Sequence, residues 1–325
     1  MPKIVHQPHS TIAHGHRASL PGAGMTKKLL SVQSHVVQGY VGNKAAVFPL
    51  QCRGWDVDVV NTVQFSNHPG YGTHTGFRTQ PEVLGRLVEH SLDGPLGLEH
   101  AAVILGYLPD AEGLRRAAAA IARACCARPA LAWVVDPVLG DAGRLYVPPE
   151  VLPQYRALLR GGGVLAVTPN QFELELLVGA AAGSRAALRH ALDAFHEQFP
   201  RVPYVVVTDV RLAGDDALCY TACSDGRAAR LFATPRLPAA FAGSGDLFCA
   251  LLVDALCSGS SPALADAVAC ALARLGGVLQ RTYELACAKN CDEPPPQVVR
   301  DLRLVECRDL LVADVAPQLK GEDLP

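Results

Sequence analysis

The chain has 325 residues, of which half are apolar and 18% charged, below the roughly 25% of an ordinary globular domain and therefore a sign of extensive buried surface. A formal net charge of −2 with no polybasic cluster argues against nucleic acid or an anionic membrane as partner and toward a small-molecule ligand held by local groups. No apolar run reaches the ~18 residues of a membrane span, and the first 26 residues lack the apolar core of a secretory signal.

Those 26 residues carry His6, His9, His14 and His16 but no Asp or Glu, and they read as a disordered extension with Met25 as an alternative start. A mitochondrial presequence also lacks acids, but it would carry more Arg than the single Arg17. Residues 27–325 read as one domain.

From residue 28, short continuous apolar runs alternate with helical patterns. The runs are Leu29–Val32, Val57–Val60, Ala102–Leu105, Trp133–Val135, Val164–Val167 and Tyr204–Thr208, and continuous runs of this kind suit parallel strands covered on both faces. Helices are expected over 43–53, 80–91, 111–124, 149–159, 171–178 and 184–198. The order predicts a doubly wound α/β sheet, mostly parallel, with helices on both faces. Ala217–Thr221 and Arg230–Ala233 flank the turn at 224–226 and form an antiparallel hairpin at its edge. Two helices follow, over 246–257 and 262–288, the second opened by Ser261 and Pro262. After Pro294-Pro295-Pro296, Leu302, Leu304 and Val305 suggest a further edge strand.

The eleven cysteines form no Cys-x-x-Cys pair. Cys249, Cys257 and Cys270 fall in apolar helical runs, and the pattern reads as free thiols in a reducing cytosol.

Ligands of open α/β sheets collect beyond the carboxyl ends of the strands. Polar residues stand there after all six runs: Gln33-Ser34-His35, Asn61-Thr62-Val63-Gln64, Gly106-Tyr107, Asp136-Pro137, Thr168-Pro169-Asn170 and Thr208-Asp209. The most informative segment is Phe241-Ala-Gly-Ser-Gly-Asp-Leu-Phe248. Gly243, Ser244 and Gly245 form the turn at a helix N-terminus, where free N–H groups favour a phosphate. Asp246 sits in the first helical turn beside that anion hole. A carboxylate does not bind phosphate, so its role there is to take a proton from an attacking hydroxyl; the alternative is an acid that merely complements the helix dipole.

Asp136 and Asp141 place two carboxylates near the same end, which suits a cation such as Mg²⁺ shared with phosphate oxygens; Asp141 is equally well read as a turn residue before Ala142-Gly143. Thr168 or Asn170 would cap a helix that starts at Gln171; alternatively Asn170 and Glu173, one helical turn apart, face a phosphate, with Glu173 orienting metal-bound water.

Taken in order, Ser31-Val-Gln-Ser-His-Val36, Gly39-Tyr-Val-Gly-Asn43, Val63-Gln-Phe-Ser-Asn-His68, Asp136-Pro-Val-Leu-Gly-Asp141, Tyr146-Val-Pro148, Thr168-Pro-Asn-Gln-Phe-Glu173 and the Gly-Ser-Gly-Asp turn resemble pyridoxal kinases, a branch of the ribokinase-like superfamily. The likeness runs over 28–285. It implies ATP-dependent phosphorylation of the 5′-hydroxymethyl group of pyridoxal, and of pyridoxine and pyridoxamine, with Asp246 as base and Gly243, Ser244 and Gly245 around the transferred phosphoryl group. It further implies Mg²⁺ with the nucleotide at Asp136 and Asp141, and a monovalent cation, K⁺ or Na⁺, near Asp136, Thr168 and Thr208. Asn170, Gln171, Phe172, Glu173, Thr208, Asp209 and Ser244 would line the nucleotide. Ser34 would bond the pyridine ring, with His68, Pro69 and Tyr107 bordering it, and residues 141–146 would form a flap over ATP. A cytoplasmic homodimer is implied too.

Four features depart from the family pattern: Pro69 in place of a threonine, Ser244 in place of a threonine, Asp209 in place of a small hydroxyl residue, and a short flap. Two other readings compete, a hydroxymethylpyrimidine kinase on the same fold and a non-catalytic pyridoxal phosphate binder. The 31–43 and 63–68 segments argue against the first, and an intact base beside the anion hole argues against the second. A dinucleotide-binding fold is excluded, because no Gly-x-Gly-x-x-Gly follows the first strand.

Overall fold

The computed structural model describes residues 26–96, 98–257, 263–289, 294–314 and 319–325. The expected extension (all but Thr26) and the Ser261-Pro262 helix start lie outside them.

The chain opens with β1 (Lys28–Val36), α1 (Asn43–Cys52), β2 (Asp56–Phe65) and a short β3 (Gly76–Arg78). Then come α2 (Pro81–Asp93), β4 (His100–Leu105), α3 (Ala111–Ala127) and β5 (Ala132–Val135). A small hairpin of β6 (Gly140–Asp141) and β7 (Arg144–Leu145) precedes α4 (Val151–Gly161) and β8 (Val164–Val167). Next are α5 (Gln171–Val178), α6 (Arg185–Gln198), β9 (Tyr204–Val210), β10 (Leu218–Ser224) and β11 (Ala229–Pro235). The remainder comprises β12 (Ala240–Phe241), α7 (Ser244–Leu256), α8 (Leu264–Lys289), β13 (Val298–Val299), α9 (Arg308–Val312) and β14 (Glu322–Asp323).

Ten strands form one sheet in the order β14-β11-β10-β9-β8-β5-β4-β1-β2-β3. The six strands from β9 to β2 are parallel, so all their carboxyl ends share one side. The expected hairpin β10–β11 is antiparallel, as are the outer pairs β11–β14 and β2–β3.

Alternation along β1 explains the two helical layers. Leu30 and Val32 face the core under α2 to α6, whereas Leu29 faces Ala46 and Leu50 of α1 and Ala250 and Val253 of α7. The helices are amphipathic to match: α2 buries Leu84, Val88 and Leu92 at four-residue spacing. Their starts are capped as their sequences demand, with Asp110 accepting from Gly113 N at 2.7 Å and Ser184 from Ala187 N at 3.2 Å. Helix α7 is apolar nearly all round. Leu247, Phe248, Leu251 and Leu252 pack toward α8, while Cys249, Ala250 and Val253 pack toward the sheet. Each large side chain so buried stabilises by roughly 1.5–3 kcal/mol, which fixes the N-terminus of α7 against the sheet end.

Two expectations are corrected. Residues 302–305 form no strand: Leu302 and Leu304 are fully buried in the α7–α8 core, Val305 is exposed, and the Arg303 N–H donates to Thr282 Oγ1 of α8 instead of to a neighbouring strand. The edge of the sheet is supplied by Glu322–Asp323. Strands β1 and β2 also run longer than the apolar runs, so Gln33-Ser34-His35 and Asn61–Gln64 still belong to the ladder. The cause is a register shift between Gln33 and His35, which carries the pairing past the polar residues. The described cysteines are all free.

Candidate active site

Gly243 caps α7 with φ +82°, and a side chain there would lie 2.0 Å from the Tyr40 carbonyl oxygen, so only glycine fits the turn. Ser244, Gly245 and Asp246 are then the first three helical residues, whose N–H groups have no partner within the helix. The Ser244 hydroxyl donates back to the Phe241 carbonyl at 3.0 Å, which leaves the backbone to face an anion.

Asp246 accepts from the backbone N–H of Gly42. Burial raises its carboxyl to about 6, and the Gly42 bond opposes that shift. Gly42 is also pressed against the carboxyl end of β1, since a Cβ on it would lie 2.3 Å from both the Ser34 carbonyl and the Ser34 hydroxyl. Ser34 itself stands at the register shift of β1. The segment is fixed by the buried Asn43, whose amide donates to the Gln33 carbonyl (3.2 Å), the Val60 carbonyl (3.3 Å) and Asn61 Oδ1 (2.8 Å). Sequence reasoning named Asp246 and Ser34 but missed the Gly42 N–H that joins them; a backbone donor leaves no side-chain signature.

Behind Asp246 lies a buried acid group. Asp136, at the end of β5, is pushed well above the usual carboxylate range by desolvation and then by the charges of Glu173 and Asp246. Glu173 is raised to about 8 by burial, although three backbone N–H groups oppose the shift. Those bonds define its structural work. Oε1 accepts from Leu139 N (2.8 Å) and Gly140 N (3.3 Å), Oε2 from Asn170 N (2.9 Å), and Asn170 Oδ1 accepts from Glu173 N in return (2.9 Å). Asn170 Nδ2 donates to the Gly140 carbonyl at 2.8 Å. The capping box of α5 is thus also the anchor of the β6–β7 flap, with both Glu173 oxygens committed to backbone.

Asp141 lies on that flap, exposed, and its carboxylate accepts from Ala142 N at 2.7 Å. The turn reading of Asp141 therefore describes a bond that is present.

The acid group fits a cation shared with a ligand. Among the described residues no cluster of three His, Cys, Asp or Glu is arranged to hold a metal by itself. Yet Asp136 is crowded by the charges of two other carboxyls, and the buried Thr168 hydroxyl lies beside it at the strand end. A positive ion completed by phosphate oxygens would relieve that crowding.

Across the flap, Thr208 bridges to Asn170, and its N–H donates to the Pro169 carbonyl at 2.9 Å. Asp209 is exposed, has φ +48°, and is hydrogen-bonded by Arg211. Arg211 N donates to Gln171 Oε1 at 2.7 Å. The negative charge of Asp209 is therefore met by an adjacent guanidinium, a partner that the sequence reading overlooked. Gln171 and Phe172 are half-buried at the start of α5.

On the opposite side, Tyr107 is half-buried, and desolvation raises its phenol. Its carbonyl accepts from Thr62 Oγ1 at 2.8 Å. His68 precedes a 3-10 turn over Pro69–Tyr71, accepting from Gly70 N at Nδ1 (3.2 Å) and therefore donating from Nε2 to the Arg300 carbonyl (3.1 Å). Pro69 is exposed at the first position of that turn.

A family model described as phosphomethylpyrimidine kinase matches residues 59–289. The Saccharomyces cerevisiae protein BUD17 is 41% identical over 302 residues, 90% of this chain and 95% of its own length. A pyridoxal kinase of Arabidopsis thaliana is 37% identical over 288 residues, 87% of this chain and 91% of that one. Among solved structures, pyridoxal kinase from Leishmania donovani in complex with ADP and pyridoxamine superposes with a TM-score of 0.77 at 32% identity, covering 92% of this chain and all of the other. The chain belongs to the pyridoxal kinase family, on the ribokinase-like fold.

Proposed function

We propose that this kinase transfers the γ-phosphoryl group of ATP to the 5′-hydroxyl of pyridoxal, pyridoxine and pyridoxamine, the salvage step that yields pyridoxal 5′-phosphate and its congeners. The observation that carries the reading is the Gly42 junction, where one residue's N–H holds the Asp246 carboxylate while its α-carbon lies against Ser34. A base and a recognition group for the acceptor ring are thereby held at a fixed distance.

With its carboxyl near 6, Asp246 is mostly ionised at neutral pH yet more basic than an ordinary aspartate. It takes the hydroxyl proton as the substrate oxygen bonds to the γ-phosphorus and the bond to the ADP oxygen breaks. The N–H groups of Ser244, Gly245 and Asp246 receive the charge on the equatorial oxygens. Mg²⁺ held at Asp136 and Asp141 would supply charge neutralisation on the nucleotide, and K⁺ or Na⁺ at Asp136, Thr168 and Thr208 belongs to the same reading. Glu173 and Asn170 act by fixing the flap that keeps water from the γ-phosphate. Gln171, Phe172, Thr208 and Asp209 border the nucleotide, while His68, Pro69 and Tyr107 border the vitamer.

One kinase domain over 27–325, a cytoplasmic location and a homodimer complete the proposal; the free thiols support the reducing compartment. Among the described residues no helix is long and apolar enough to cross a membrane.

The description of the matching family model gives the pyrimidine alternative an observation of its own. Coupled ADP release with each of the three vitamers and with hydroxymethylpyrimidine, with and without K⁺, decides between them. Turnover confined to the pyrimidine, or absent with every acceptor, overturns the proposal.

A further inference from the structure

The loop that bears His68 is held from the far end of the chain. Tyr71 OH donates to Asp301 Oδ2, which also accepts from Gln38 Nε2 at 3.4 Å. The neighbouring Arg300 accepts from His68 Nε2 through its carbonyl and lays its guanidinium 5.1 Å from the Tyr71 ring centre. His68 and Tyr71 meet edge to face at 4.9 Å. On its other side Asp301 touches the turn after β1: a Cβ on Gly39 would lie 2.4 Å from Asp301 Oδ1, which is buried and has no hydrogen-bond partner. Two residues before Asp301, β13 pairs with β12, and the Ala242 N–H donates to the Val299 carbonyl at 3.2 Å, one residue before the anion-hole turn.

We infer that Asp301 is a positioning residue for the acceptor site, setting the spacing between the His68 loop, the Gly39–Gly42 turn beside Ser34, and the entry to the anion hole. The 299–301 segment bonds or packs against each of the three: Val299 against Ala242, Arg300 and Asp301 against His68 and Tyr71, and Asp301 against Gln38 and Gly39. Burial and the Asp301 charge together push the Tyr71 phenol up to about 12, so it remains a donor across the working pH range. Because Asp301 works through Tyr71, Gln38 and Gly39, its loss should loosen acceptor binding and leave the nucleotide side, built on α5 and the flap, unaffected. The inference rests on the proposed vitamer kinase activity.

The test is steady-state kinetics of the full chain and of Asp301→Ala, Asp301→Asn, Tyr71→Phe and the Tyr71→Phe/Asp301→Ala double variant, varying pyridoxal and ATP separately, with thermal midpoints in parallel. Asp301→Ala should raise the KM for pyridoxal about tenfold and Tyr71→Phe about threefold, with the ATP KM within about twofold in each. Asp301→Asn, which keeps an acceptor for Tyr71, should recover most of the loss. The double variant should be no worse than Asp301→Ala alone, since the Tyr71–Asp301 bond that Tyr71→Phe removes is already lost in Asp301→Ala. Equal shifts in the two KM values, additive losses, or an unchanged pyridoxal KM overturn the inference. If Asp301→Ala does not fold, Tyr71→Phe decides alone, because it removes only a hydroxyl. A wild-type chain inactive on pyridoxal overturns the proposed function itself; an active wild type with unaffected variants overturns only the role of Asp301.

Discussion

The turn at 243–246 and the loop at 66–71 lie at the same end of the sheet but are held by different kinds of bond. The turn is local: two glycines, a serine and an aspartate sit at the start of α7, whose buried apolar face anchors it, and Gly42 adds one N–H. The loop bonds within itself, Asn67 Nδ2 donating to the Thr73 carbonyl and Thr75 N to Ser66 Oγ, and is tied to the far end of the chain by Arg300 on His68 and Asp301 on Tyr71. The first arrangement leaves little room for substitution, since Gly243 admits no side chain and Asp246 is the proposed base. The second spreads its constraint over many weak contacts, each replaceable at modest cost. Catalysis should therefore fail sharply at 243–246 and gradually at 66–71.

The largest effect expected from this contrast is at the base. Asp246→Asn should lower kcat by roughly 10²–10⁴-fold, the range for loss of a general base, with the fold intact. Because the native carboxyl is raised, the neutral amide removes a charge that burial disfavours, so the thermal midpoint above pH 6 should stay level or rise. In the wild type, kcat/KM should climb through about pH 6 as the base ionises. A variant with near wild-type turnover would remove Asp246 from that role.

The flap anchor comes next. Glu173→Ala leaves the N–H groups of Leu139, Gly140 and Asn170 without their acceptor, which should cost about 1–3 kcal/mol in urea melts. The KM for ATP should rise more than that for pyridoxal. Equal shifts would mean that the flap serves both ligands and would blur the division between the two sides.

The local nature of the anion hole also explains what was legible in sequence. The six parallel strands and the Gly-Ser-Gly-Asp turn are each encoded within a few residues and were read, and Asn170 was among the caps considered for α5. Glu173 was placed at the site, but its bonds to Leu139 and Gly140 come from a flap 34 and 33 residues earlier in the chain. Leu302 and Leu304 alternate as a strand would, yet they are drawn under α8 by the core. Asp301, Tyr71 and Arg211 carry no motif; their roles appear only when the chain closes on itself.

A smaller and more diffuse effect is the pH dependence of stability without nucleotide. Glu173 and Asp246 have folded-state values of about 8 and about 6, both above the ordinary carboxylate range, and Asp136 shifts in the same direction. The native state therefore binds more protons than the unfolded chain between about pH 4 and 8. The stabilisation is complete below pH 4, declines as pH rises through 6 and 8, and levels off above. Guanidinium melts at pH 5 and pH 8.5 should show the acidic sample to be the more stable. Glu173→Gln should flatten that slope, and MgATP should flatten it in the wild type. A stability that increases toward pH 8.5 would contradict a crowded buried acid group.

The smallest effect belongs to Pro69, on the side held by distributed contacts. Its ring is exposed and fixes φ at the first position of the Pro69–Tyr71 turn, where a missing N–H is harmless. Threonine there adds a hydroxyl, and one neutral hydrogen bond to the acceptor would strengthen binding by about 0.5–1.5 kcal/mol. Losing the ring's constraint on the unfolded chain costs about 0.4–1 kcal/mol of stability, so the two changes act on different observables. Because His68, Tyr71, Arg300 and Asp301 hold the turn from its other side, the loop should keep its position. Pro69→Thr should then lower the KM for pyridoxal by less than about fivefold at saturating MgATP, while the thermal midpoint falls slightly. An unchanged KM with a lowered midpoint would show that position 69 faces solvent during turnover, leaving His68 and the residues braced by Asp301 as the wall of the acceptor site.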